Sequence, residues 1–240
     1  MRRWSKLARA AGAGLLANLA LAGSGGRPAG AADCRVVADF AKNAIGQFPE
    51  DWKPREERAR DIYKVLEEGG VRFVRATAEG TGLQIGKEFD WDLKAHPVLA
   101  WKWRPQVFPT GADERESGKN DSVLGVYAVF PHTPVTVKAV KYVWSLAAPA
   151  RATASASKGL TRMLVLRAGA PKGAGWVGEA VNVAADYERL FGEAPKQPRG
   201  IALLTDADDT KSRAVGDYGA FRICPAGTAA SAALEASPRG

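Results

Sequence analysis

From Cys34 to Cys224 the chain is a succession of short runs rich in β-branched and aromatic residues, and that rhythm leaves few folds open. The runs are "CRVVADF", "DIYKVLEE", "GVRFVRATA", "LQIGKEFDW", "PVLAWKWRP", "SVLGVYAVF", "VKAVKYVWSL", "TRMLVLRAG", "WVGEAVNV", "GIALLT" and "YGAFRIC". Between them stand "EEGG", "EGTG", "PTGADERESGKND", "PHTP", "APKGAG" and "GDYG", where glycine, proline and short polar side chains supply turn conformations. Many short strands at close spacing predict an all-β protein, a β-sandwich or jelly roll, with one or two short helices. The helix expected is "NVAADYERLFGEAP", capped by Asn182 and ended by Gly192 and Pro195; "DLKAHP" reads as a short helical turn. The small-residue stretch "LAAPARATASASKG" reads as a mobile loop, and residues 225–240 as a disordered tail.

The first residues place the protein outside the cytoplasm. Arg2, Arg3, Lys6 and Arg9 precede an apolar run from Ala10 to Ala22, too short to span a bilayer, and Ala29-Gly30-Ala31 offers a small-residue cleavage site. Residues 1–31 are therefore read as a secretory signal peptide and residues 32–224 as one sandwich domain, periplasmic or secreted, with no membrane span. The signal carries five bases and no acid, so removing it lowers the net charge from +8 to +3. No basic stripe interleaved with aromatics remains to track a nucleic acid. In an oxidising compartment the two cysteines, Cys34 and Cys224, are expected to pair, which sets the first and last strands side by side. Closing so long a loop stabilises by roughly 5 kcal/mol in the chain-entropy picture.

The stretch "IALLTDADDT" delivers an apolar strand into Asp206, Asp208 and Asp209. It matches the strand-then-D-x-D-x-T pattern of haloacid-dehalogenase-like phosphatases, whose first aspartate attacks phosphorus. Only 30 residues follow Thr210, too few for the α/β half that such an enzyme needs. Asp206, Asp208, Thr210 and Asp217 also fall at calcium-loop positions, but Lys211 stands where that loop requires glycine. No cofactor is expected, and a structural calcium stays open. His96 and His132 sit beside prolines in turns without metal-ligand spacing, and no G-x-S-x-G marks a serine nucleophile.

Flat aromatics and polar side chains are the parts from which sugar sites are made. Trp101 and Trp103 project from one face of their strand, Lys102 and Arg104 from the other, and Tyr127, Tyr142 and Trp144 lie in neighbouring runs. Tryptophans in strands also make sandwich cores, and both assignments stand open for the Trp101–Trp103 pair. The residues expected to bind ligand are Trp103, Arg104, Asp121, Trp144, Asp206, Asp208 and Tyr218.

The segments "HPVLAWKWRP", "NDSVLGVYAVF", "VKYVWS", "GWVGEAVNVAADYERLFGEAP", "GIALLTDADDT" and "GDYGAF" together resemble an exported bacterial family of unknown function, numbered 3047. The resemblance runs from about Phe40 to Ile223 and implies a galactose-binding-like jelly roll, similar to some carbohydrate-binding modules. Where that pattern carries an arginine this chain has Gly125, and where it carries an acid after "YG" this chain has Ala220. The expectation is an exported, non-catalytic sandwich that binds a glycan or cell-envelope polysaccharide. The alternatives are a glycan hydrolase or lyase using Asp121, Glu179, Asp206 or Asp208, and a structural or assembly protein.

Overall fold

The computed structural model describes residues 33–235; the segment read as a signal peptide lies outside the described residues. Along the chain come β1 (Arg35–Ala38), β2 (Lys53–Pro54), α1 (Ala59–Ile62), β3 (Tyr63–Glu68), β4 (Val71–Glu79), β5 (Ile85–Glu88) and β6 (Val98–Val107). Then follow β7 (Leu124–Pro131), β8 (Val137–Ser145), β9 (Thr153–Ala156), β10 (Thr161–Ala168), β11 (Val177–Asn182), α2 (Val183–Phe191), β12 (Gly200–Leu204), β13 (Arg213–Cys224) and α3 (Ala230–Glu235). They form two sheets. One runs β11-β6-β13-β4-β3, with β1 on the far end of β13; the other runs β2-β5-β12-β7-β8-β10-β9. Every pairing is antiparallel except β8 with β10. The fold is the expected β-sandwich.

Strand alternation decides what lies between the sheets. Leu99, Trp101 and Trp103 of β6 face Leu124, Val126, Ala128 and Phe130 of β7 and Val140, Tyr142 and Trp144 of β8 in one continuous core. The rings interlock: Trp101 meets Trp103 edge-on at 5.2 Å, and Trp103 lies 5.9 Å from Trp144. Burying an apolar side chain of this kind contributes about 1.5–3 kcal/mol, which makes this seam the main cohesive element of the sandwich. Three indole N–H groups of this core are tethered: Trp103 donates to Glu179 Oε1 at 3.0 Å, Trp144 to the Gly169 carbonyl at 2.9 Å and Trp91 to the His96 carbonyl at 2.8 Å.

Local signals behave as read. Asn182 accepts from the Ala185 N–H at 3.0 Å and caps α2, which ends at Gly192 in the left-handed region (φ 72°). Cys34 and Cys224 form a disulfide, and β1 lies antiparallel to the last residues of β13. Two expectations are corrected. The stretch read as a mobile loop contributes β9, an edge strand paired with β10. Within the tail read as disordered, residues 225–240, the stretch Ala230–Glu235 forms α3, whose Ala233 and Leu234 pack on Val98, Ala100 and Cys224, and residues 236–240 lie outside the described residues. Gly178 makes room for α3, since a Cβ there would stand 2.7 Å from Leu234 Cδ1. No helix among the described residues is long and apolar enough to cross a membrane.

Candidate functional site

The residues expected to bind ligand separate into three places. Trp103, Trp144 and Tyr218 are core, 0%, 4% and 0% exposed, so no stacking platform is built from the two tryptophans. The reason is register: the β6 face that carries Trp101 and Trp103 is the face turned to the other sheet. Tyr218 spends its hydroxyl inside, contacting Thr205 Oγ1 and the Leu204 carbonyl at 3.0 Å each. Among the described tryptophans only Trp176 is left half-buried, in the turn before β11, and the sequence reading did not single it out.

Arg104 lies on the outer face of the six-stranded sheet. Its guanidinium donates to Asp217 at 3.0 Å and Glu68 at 2.7 Å, and stacks 4.7 Å above the Trp176 ring. Arg75 grips both oxygens of Asp217 at 2.7 and 2.9 Å, and Gln106 adds a bond at 2.8 Å. Asp217 is fully buried and thereby compensated by two arginines. It belongs to a structural network, which corrects the calcium-loop spacing that joined it to Asp206 and Asp208.

The third place is the acid loop between β12 and β13. Asp121, fully buried just before β7, accepts from the N–H groups of Asp209 (3.1 Å) and Thr210 (2.8 Å) and from Thr210 Oγ1 (2.5 Å). Asp209 in turn accepts from Asn120 Nδ2 at 2.6 Å. Asp121 is thus the strut that ties two distant loops. Asp206 differs. It is 8% exposed, its Oδ1 is sealed without a hydrogen-bond partner, and oxygens of Asp121, Asp206 and Asp208 lie within 4.8 Å of one another. Burial first, then the charges of Asp208 and Asp121, raise its pKa to about 7 against the opposing pull of Lys141. Gly82 is needed opposite, because a Cβ there would fall 1.7 Å from Asp206 Oδ1.

Asp206 lines a cleft of about 620 Å³ on the outer face of the seven-stranded sheet, together with Arg55, Gln84, Asn120, Tyr127 and Lys141. Tyr127 and Lys141 sit there because they alternate with the core residues of β7 and β8. Lys141 donates to Ser122 Oγ at 3.0 Å and lies 5.7 Å from the Tyr127 ring. Burial works against its ammonium, yet Tyr127, Asp206 and Glu114 keep its pKa above the usual lysine value. Gly125 leaves the path open: its Cβ would stand 3.1 Å from Lys141 Cε. A shallower hollow of about 220 Å³ shares Gln84, Val129 and Val137 with the cleft. A wider depression of about 900 Å³ lies between the Glu88–Asp92 and Gln197–Arg199 segments. The sequence reading missed Arg55, Gln84 and Lys141. A lysine amid the apolar "VKAVKYVWS" was the available signal for the last of these.

Residues 50–222 match the family described as Protein of unknown function (DUF3047), and the chain belongs to it. No curated protein matches the sequence. Among solved structures, the K2 cleaved adhesin domain of Lys-gingipain is similar at 9% identity and TM-score 0.41, over 79% of this chain and 98% of that one. TmCBM61 in complex with beta-1,4-galactotriose is similar at 8% identity and TM-score 0.30, over 78% and 94%. A mutant ENZbleach xylanase is similar at 11% identity and TM-score 0.32, over 80% and 91%.

Proposed function

We propose that this member of the DUF3047 family is an exported, non-catalytic glycan-binding protein whose ligand lies in the cleft on the outer face of the seven-stranded sheet. One observation carries the reading. The cleft is concave and floored by hydrogen-bonded strands, and it gathers a guanidinium, an ammonium, two carboxyls and two amides around Tyr127. Sugars present hydroxyls that donate and accept at once, and a mixed set of fixed donors and acceptors on a rigid floor matches that chemistry. Export is supported by the basic-then-apolar start of the chain and by the disulfide.

Binding is favoured over turnover by the state of the carboxylates. Asp121 is occupied by three donors, and Glu179 is clamped by Arg167 at 2.7 Å and by Trp103. A hydrolase sets two carboxyl groups on either side of the scissile bond, about 5–9.5 Å apart. Here Asp206 and Asp208 crowd into one cluster.

The test is a glycan array on the mature protein, followed by calorimetry on the best ligand and a reducing-end assay on the same ligand. Saturable binding that weakens at least about tenfold, roughly 1.4 kcal/mol, in both Arg55→Ala and Gln84→Ala, without release of new ends, is the expected result. Affinity unchanged in both variants, or steady release of ends, overturns the proposal.

A further inference from the structure

We propose that Asp121, Asp206 and Asp208 hold one divalent cation of the calcium class at the end of the cleft. The site goes beyond the glycan reading and stands without it. Three carboxylates supply the hard oxygen ligands that calcium takes. Their oxygens lie within 4.8 Å of one another, and three points so spaced share a position no more than about 2.8 Å from each. Calcium–oxygen distances are roughly 2.3–2.6 Å, so a small inward movement completes the contact. Magnesium requires about 2.0–2.1 Å in a near-ideal octahedron, a much larger collapse.

A second observation points to a ligand independently of the clustering. Asp206 is 8% exposed, and its Oδ1 is buried without any donor among the described residues. A buried carboxylate is ordinarily matched by donors or a counter-charge. Asp217, fully buried in the same protein, receives two arginines and an amide. Lys141 attracts the Asp206 carboxylate through space but does not pair with it as the arginines pair with Asp217. Its ammonium is directed to Ser122 Oγ at 3.0 Å, and no lysine or arginine among the described residues is within ion-pair distance of Asp206.

Each ligand has the freedom that the site needs. Asp121 is positioned by three donors and keeps lone-pair capacity on its carboxylate, since two oxygens offer about four acceptor sites. Asp206 Oδ1 has no donor, and its carboxyl faces that of Asp208. Asp208 is exposed and gives the ion its route from solvent. Water or ligand hydroxyls from the adjoining cleft would fill the remaining positions.

Chelator-treated mature protein, titrated calorimetrically with CaCl2 and separately with MgCl2, tests the assignment. One calcium per chain with Kd below about 1 mM, magnesium at least about tenfold weaker, and at least about tenfold loss in Asp208→Asn are expected. Asp208 is exposed, so that variant keeps the fold, which circular dichroism checks; Glu56→Gln, an exposed acid on the cleft, should bind as the parent does. No calcium uptake by the folded parent, equal affinity for magnesium, or unchanged affinity in Asp208→Asn overturns the proposal. Because no glycan is present, these outcomes are separate from those of the array.

Discussion

Replacing Asp206 with asparagine exchanges a carboxyl for an uncharged side chain of the same shape, and in chelator it is expected to stabilise the protein above neutral pH. The folded state raises this carboxyl from 3.8 to about 7, by burial and by the neighbouring charges of Asp208 and Asp121, with Lys141 opposing. The sign follows from proton counting. Between about pH 4 and pH 7 the folded state holds a proton that the unfolded chain has released, so the contribution of Asp206 to stability is complete below pH 4. It is lost as pH rises through 7. A shift of about three units at roughly 1.4 kcal/mol per unit bounds the loss near 4 kcal/mol, and relaxation of the loop brings the expected value to about 2–4 kcal/mol. Urea unfolding of parent and Asp206→Asn from pH 4 to pH 9 in chelator reads the difference, which includes the response of the coupled neighbours Asp208, Asp121 and Lys141. The curves should nearly coincide at pH 4 and diverge to the variant's advantage by pH 8. A variant less stable than the parent at pH 8, or a difference that does not change with pH, refutes the reasoning and means that the carboxylate is compensated in the folded protein.

Trp103→Ala should lower stability by about 3–5 kcal/mol, because it opens a cavity in the seam between the sheets and removes a donor from Glu179. In denaturant titration a loss under about 1 kcal/mol would show instead that the indole is not core. Cys34→Ser breaks a bridge that closes 190 residues, and a loss of about 2–5 kcal/mol is expected. Thiol titration of the unreduced, unfolded parent should find no free thiol, and finding two would dispose of the bridge.

What the sequence determined by itself is whatever is written in neighbouring residues. The strands follow from short β-branched runs between turn residues, and α2 from Asn182 at its start and Gly192 at its end, because backbone preference and capping act within a few positions. The cysteine pair was legible through the expected export and through its place at the ends of the patterned region, Cys34 just before β1 and Cys224 closing β13. Alternation in "LAWKWR" separated two faces of β6 but did not say which one is inside, so Trp103 was offered as a platform and proved to be core. Only packing decided that. Tertiary structure likewise parted residues that looked related: Asp217 went to two arginines on one sheet, while Asp206 went to a cleft on the other. The strut Asp121 and the loop it holds lie 89 residues apart at Thr210, and Arg55, just after β2, meets Lys141 of β8 at one cleft. Within the alanine-rich segments that read as a mobile loop and a disordered tail, Thr153–Ala156 took form as β9 and Ala230–Glu235 as α3, because a sheet edge and an apolar face awaited them. Local conformation is set by energies that act along the chain. Which groups share a buried space depends on contacts between residues far apart in it, and no window of sequence contains those.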